Sequence, residues 1–167
     1  MIYIASDHAG VDMKLAIMKH LDENYPNEEY TNLGTDNPQC VDYPDYAHAL
    51  CQAMDEYGVL DIGILICGTG IGMSMVANRY DNIRCAVVYN EEVAIMTRKH
   101  NDANVMALGA RQMPHYTATR LVDVFIETVF EGGRHGDRVD KINIQDSEEI
   151  YEESPLKTFF GVFGITW

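Results

Sequence analysis

Five short apolar runs alternate with segments of helical periodicity, and few folds accommodate that alternation. The runs are residues 2–6 (IYIAS), 30–33 (YTNL), 62–67 (IGILIC), 83–89 (IRCAVVY) and 104–108 (NVMAL). Between them Val11, Leu15, Met18 and Leu21 recur at steps of three and four, as do Ala47, Leu50, Met54 and Tyr57, which places each set on one helix face. Residues 91–100 and 115–130 continue the helical pattern, with Leu121, Phe125 and Val129 along one face of the second. Strands this uniformly apolar must be covered on both sides. The pattern therefore predicts an α/β fold, a five-stranded parallel sheet with helices on both faces. A chain of 167 residues that is 47% hydrophobic suits one such domain.

The expected strand order is 2-1-3-4-5, and ligands then bind outside the carboxyl ends of strands one and three, where the winding reverses. Two loops fall there: Ser6-Asp7-His8-Ala9-Gly10 and Cys67-Gly68-Thr69-Gly70-Ile71-Gly72. The second reads GxGxG, whereas a dinucleotide fingerprint has its third glycine at the position of Met73. A P-loop needs a lysine followed by Ser or Thr, and none follows the glycines. A cysteine phosphatase of the C-x5-R type needs its arginine, again, where Met73 stands. What the turn retains is its backbone: successive glycines entering a helix point several N–H groups into one concavity, which attracts bound or developing negative charge. Cys67 stands beside that positive end, an environment that favours the thiolate and a role as general base. The alternative is a buried, inert thiol ending a core strand. Asp7 and His8 serve either as a helix cap or, facing the Cys67 loop, as groups that hold sugar hydroxyls and move protons.

Charge narrows the partners. Twelve Lys and Arg against twenty-six Asp and Glu give a formal net charge of −14, which excludes nucleic acid and acidic membrane but leaves room for a small anion where cations cluster. Such a cluster is EGGRHGDRV (131–139), where Arg134 and Arg138 sit one helical turn apart with His135 between them, a spacing suited to gripping phosphate oxygens. Arg111, just after strand five, adds a third arginine. RKHNDANV (98–105) is harder to place: His100, Asn101 and Asp102 precede strand five, at the opposite end of the strands from Cys67. Either the motif is a helix stop ended by Asn101, or another subunit supplies His100 to the site. The amino terminus lacks the pattern of a signal peptide, no run approaches membrane-spanning length, and no two cysteines have CxxC spacing; a cytoplasmic protein with reduced thiols is expected.

The motifs SDHAG, VDYPDYA, DIGILICGTGIGMSMVANR, HNDANVMALG and EGGRHGDRV, in that order over residues 1–145, resemble those of the type B ribose-5-phosphate isomerases and the related hexose-6-phosphate isomerases. The resemblance implies a three-layer, flavodoxin-like sandwich, a homodimer with composite active sites (a tetramer being the larger alternative), a sugar phosphate substrate, and no metal or organic cofactor. It further implies that Cys67 is the base moving a proton between C1 and C2, that Thr69 assists transfer between the oxygens, and that the amides of residues 68–72, Gly68, Gly70 and Gly72 among them, receive the enediolate. It gives ring opening to His100 with Asp7, the phosphate grip to His8, Arg111, Arg134 and Arg138, and sugar-hydroxyl contacts to Tyr43 and Asn101. One branch of the family has a glutamate where Met73 stands here, which leaves Cys67 as the evident base of this loop. A pentose 5-phosphate is favoured over allose or galactose 6-phosphate by HND followed by GGRHGDR; a phosphate- or flavin-binding module without catalysis is the other reading. The domain is expected to span residues 1–147, and the aromatic extension 148–167 to dock at an oligomer contact.

Overall fold

The computed structural model describes residues 1–57 and 61–142; the expected docking of residues 148–167 lies outside them. In chain order the elements are β1 (Ile2–Ser6), α1 (Val11–Asn24), β2 (Tyr30–Asn32), α2 (Tyr43–Tyr57), β3 (Ile62–Cys67), α3 (Ile71–Ala77), β4 (Cys85–Val87), α4 (Glu91–Asn101), β5 (Val105–Gly109), α5 (His115–Glu127) and α6 (Gly136–Val139). Short 3-10 turns at His8–Gly10 and Gly133–His135 precede α1 and α6. All strand pairs are parallel.

Alternation along the strands builds two cores. Ile2, Ile4, Ile64, Ile66, Met106 and Leu108 face one side and pack with Met13, Ile17 and Leu21 of α1 and with Leu121, Val122 and Phe125 of α5. Tyr3, Ala5, Leu65, Cys67, Val105 and Ala107 face the other and pack with Leu50 and Met54 of α2 and with Met73 and Ala77 of α3. The result is the expected three-layer sandwich. Cys67 belongs to the α2/α3 side because it shares the parity of Leu65.

The strand order corrects the expectation: it is β2-β1-β3-β5-β4, not 2-1-3-4-5. Each residue of β5 is buried, so it needs a neighbour on both edges, whereas β4 is three residues long, half-buried, and suits the rim. The predicted run 83–89 shortens because side chains take over its backbone groups. The Asn78 amide brackets Cys85, accepting from its N–H at 2.8 Å and donating to its carbonyl at 2.9 Å, and Asn104 Oδ1 accepts from Arg84 N–H at 2.8 Å. Two helix-face assignments also change. Leu15 points to solvent, its place on the buried face of α1 taken by Met13, Lys14 and Ile17, and Val129 lies beyond the end of α5 and is exposed. None of the described helices is long and apolar enough to cross a membrane.

Lys14 is fully buried yet fully bonded. Its ammonium donates to Asn32 Oδ1 and to the Thr35 carbonyl, both at 2.9 Å, and to the Asp36 carboxylate. One side chain of α1 thereby fastens the chain leaving β2, the segment that returns past His8. Hydrogen bonds from Lys14 and Asn32 hold the Asp36 carboxyl below the ordinary carboxylate range. A carboxyl shifted down stabilises the fold above its unfolded pKa of about 4 and loses that contribution as pH falls through the lower folded value. Lys14→Met should therefore cost about 3 kcal/mol at neutral pH, since it removes the three hydrogen bonds of the ammonium, and less near pH 3; urea denaturation at both pH values checks this.

Candidate active site

The carboxyl ends of β1 and β3 lie side by side, Ser6 opposite Ile66, and the Asp7 N–H donates to the Ile66 carbonyl at 3.0 Å. Asp7 is buried and its Oδ1 caps the following turn by accepting the Ala9 N–H at 2.9 Å. His8 accepts the Val41 N–H on Nδ1 at 3.3 Å, an arrangement that leaves the proton of the neutral ring on Nε2, free to donate outward. The aspartate and histidine are thus both a cap and a pair of groups set at the crevice.

The Cys67 loop faces them. Cys67 is buried, and the Gly70 N–H donates to its sulfur at 3.1 Å. Because α3 is only seven residues long, this single N–H acts on the sulfur more directly than any helix dipole. Burial pushes the Cys51 thiol up to about 12 and raises that of Cys85 as well. Gly70 adopts φ 78°, the left-handed region, and a Cβ there would stand 3.1 Å from the Ala107 carbonyl oxygen. Thr69 is exposed, its Oγ1 accepting the Ile71 N–H at 3.4 Å. Gly72 lies under the ring of Tyr43, the first residue of α2, where a Cβ would come within 2.9 Å of the ring carbons.

The strand-five loop completes this cluster. The Ala110 N–H donates to the Cys67 carbonyl at 2.8 Å and the Arg111 N–H to the Gly68 carbonyl at 3.1 Å, while the Arg111 guanidinium lies over Gly68. Asp7, His8, Tyr43, Cys67, Gly68, Thr69, Gly70, Gly72 and Arg111 therefore gather at one end of the sheet.

His100, Asn101, Arg134 and Arg138 do not join them. They occupy the other end, where His100, Asn101, His135, Arg138, Val139 and Ile142 line a cavity of about 280 Å³. Gly63 N–H bonds the Asn104 carbonyl, so this end is separated from Cys67 by the length of β3, roughly 13 Å for four steps along a strand. Asn101 is still helical; Asp102, in the left-handed conformation at φ 45°, ends α4, and its carboxylate and carbonyl both accept from Arg84 at 2.8 Å. The HND motif is thus a helix stop as well, with Asp102 rather than Asn101 as the stop.

Two neighbours of His100 went unassigned on sequence. His135 stacks on His100 with ring centroids 4.1 Å apart and planes within 4°, and Glu131 reaches both, at 3.9 Å from His100 Nε2 and 3.7 Å from His135 Nε2. His135 is buried, and burial, with the nearby His100, Arg134 and Arg138, moves its pKa down, against the attraction of Glu131. The i, i+4 spacing of Glu131 and His135 was the available signal for their pairing, whereas nothing in the sequence announces the stack on His100.

A parallel sheet between helices, with the glycine turn after β3 beside Asp7, His8 and Arg111 at one end and a second polar cluster at the other, defines an α/β protein with its candidate residues at the two ends of its strands. Residues 2–142 match the model of the ribose/galactose isomerase family, and the chain belongs to that family. It is 42% identical over 149 residues to the probable ribose-5-phosphate isomerase B of Mycoplasma pneumoniae, covering 89% of this chain and 96% of that protein. To the ribose-5-phosphate isomerase B of Escherichia coli it is 40% identical over 141 residues, 84% of this chain and 93% of the other. Among solved structures, the enzyme of Thermotoga maritima matches with a TM-score of 0.80 at 41% identity, covering 84% of this chain and 95% of that one. The Mycoplasma genitalium enzyme with bound ribulose 5-phosphate matches with a TM-score of 0.80 at 36% identity, covering 92% and 97%.

The two glycines make opposite predictions. Gly70→Ala should lose about 1–3 kcal/mol in urea denaturation, because the left-handed backbone and the Ala107 carbonyl cannot yield. Gly72→Ala should stay within about 0.5 kcal/mol of wild type, because the half-exposed Tyr43 ring can turn aside.

Proposed function

We propose that the protein is an aldose–ketose isomerase interconverting ribose 5-phosphate and ribulose 5-phosphate, acting as a homodimer in which each site draws residues from both copies. The observation that carries this reading is the Cys67 sulfur held by the Gly70 N–H at the switch point, beside Asp7, His8 and Arg111. Relatives named ribose-5-phosphate isomerase B, one of them with ribulose 5-phosphate bound, supply the substrate class.

In this scheme Cys67 removes the C2 proton of the open-chain aldose and returns it to C1, with no metal or organic cofactor. Charge develops on the carbonyl oxygen, where the amides of residues 68–72 receive it; a well-placed donor of this kind lowers the barrier by about 3–4 kcal/mol. Thr69 passes the proton between the two oxygens of the enediolate. His8 Nε2–H and Arg111 hold one side of the phosphate, and Arg134 and Arg138 of the partner subunit the other, which positions the reacting carbons without touching them. Tyr43 and Asn101 of the partner subunit contact sugar hydroxyls. His100 of the partner subunit, with Asp7, opens the furanose ring. A cytoplasmic setting fits the phosphorylated substrate.

Dimerisation is supported by the separation of the two clusters within one copy and by an unpartnered apolar face beside the site. Ile71 and Met75, one turn apart on α3, are 50% and 66% exposed. Such a face next to an incomplete site suits a second copy.

The direct test is conversion of ribose 5-phosphate with a chelator present, beside allose 6-phosphate and galactose 6-phosphate. Fastest turnover of the pentose, unaffected by chelator, is the expected result; a hexose preference would move the protein to the neighbouring branch, and no turnover would favour a binding module. Cys67→Ala should abolish turnover and keep phosphate-ligand binding. Mixing inactive Cys67→Ala and His100→Asn subunits should restore about a quarter of wild-type activity, the statistical share of sites with both residues intact in exchanging dimers. No recovery would mean that both residues serve from the same copy.

A further inference from the structure

Glu131 and His135 lie outside the roles given so far, yet the fold invests in their placement. Arg98 Nε donates to the Thr128 carbonyl at 3.2 Å and its guanidinium lies 5.3 Å from the Phe125 ring centre, which draws the chain after α5 under the end of α4. The Glu131 N–H then donates to the Lys99 carbonyl at 3.1 Å, and Lys99 Nζ lies 3.4 Å from the Glu131 carboxylate. Glu131 is therefore tied through backbone and side chain to the residue preceding His100. Its other carboxylate oxygen faces the Nε2 atoms of both stacked imidazoles.

The trio does not fit a shared metal ion. With ring centroids 4.1 Å apart and planes parallel to within 4°, the in-plane lone pairs run side by side and do not converge on one point, as the ligands of a shared ion must. What parallel rings beside one carboxylate can do is fix an orientation. Two stacked imidazoliums would repel, and the groups facing the pair are Glu131, Lys99, Arg134 and Arg138. His135, buried and flanked by arginines, is the member disfavoured as a cation. His100 is the more exposed ring and the one that a substrate in the cavity can reach.

We propose that Glu131 is a positioning residue for ring opening: its carboxylate, with the stacked ring of His135, holds His100 in the orientation that delivers a proton to the sugar ring oxygen. This rests on the isomerase reading above. In the step, the C1–O4 bond breaks with its electrons leaving on O4, which takes the proton from His100 Nδ1, the ring nitrogen not turned toward Glu131. The O1 hydroxyl gives its proton to the Asp7 carboxylate as the C1 carbonyl forms, and both groups are restored by exchange with water. No atom is oxidised or reduced.

The step can be separated from the rest of the reaction. Ribulose 5-phosphate has its 5-hydroxyl phosphorylated and cannot close a five-membered ring on C2, so it reaches the enediolate without ring opening. Glu131→Gln should lower kcat/KM for ribose 5-phosphate by about 10- to 100-fold, within the roughly 10²- to 10⁴-fold that positioned acid–base groups supply. Deuterium incorporation at C1 of ribulose 5-phosphate in D2O should stay within about twofold of wild type, because Cys67 and its amides are untouched. Glu131→Asp, which keeps the charge but shortens its reach, should fall between. The isosteric substitution leaves the backbone bond to Lys99 in place, so the fold is retained. Equal losses in both assays, or no loss in either, would overturn the proposal. Wild-type protein inactive in both assays would instead overturn the isomerase reading on which it rests.

Discussion

β3 is hydrogen-bonded on both edges, to β1 on one side and β5 on the other, and its last five residues are buried. A central parallel strand of this kind cannot slip, because a shift of one residue would turn Leu65 and Cys67 into the α1/α5 core and expose the polar loop that follows. Its register fixes Ile66 against Ser6 and Cys67 against Gly109. From those two pairings follow the approach of Asp7 to the Cys67 loop and the bonds from Ala110 and Arg111 to the same loop. The site at this end is the set of residues that the three innermost strands release where they stop.

The loops are then held by single polar groups, each matched to a backbone demand. Lys14 secures the segment after β2, His8 takes the Val41 N–H, and Gly70 supplies both the turn and the donor to the thiol. At the opposite end Asp102 stops α4 and Arg84 clamps it. The residues that close the fold also stand in the two clusters: Asp7 caps the turn after β1, and Asp102 stops α4. In a chain of net charge −14, Arg111 stands at one end of the sheet and Arg134 and Arg138 at the other.

How far the sequence carried depended on which forces act locally. The alternation of strands and helices, the buried face of α2 around Leu50 and the two loops at the switch point are found as expected, whereas the buried face of α1 runs through Met13 and Ile17 with Leu15 outside it. The order of β4 and β5 does not follow from periodicity: both are apolar runs, and only the competition for interior places separates them. Asn101 was a reasonable helix stop by residue type, and Asp102 took that role because Arg84, distant in sequence, holds its carbonyl and carboxylate. Glu131 and His135 stayed hidden for the same reason. Their meaning lies in a stack across the α4 end that no local pattern encodes.

The separation of the two clusters has a chemical logic of its own. Within one copy the Cys67 thiol and the His100 imidazole cannot meet over a single small substrate, because they lie at opposite ends of β3. Each is held by its own surroundings, the sulfur by the Gly70 N–H and the imidazole by the stack on His135 beside Glu131, at opposite ends of a strand that keeps them apart. In the proposed dimer, a site shared between two copies would let a substrate span the two environments, with its phosphate among the arginines and its carbonyl end at the thiol. Assembly would then be part of the catalytic apparatus, because a lone subunit holds the two clusters at opposite ends of one strand.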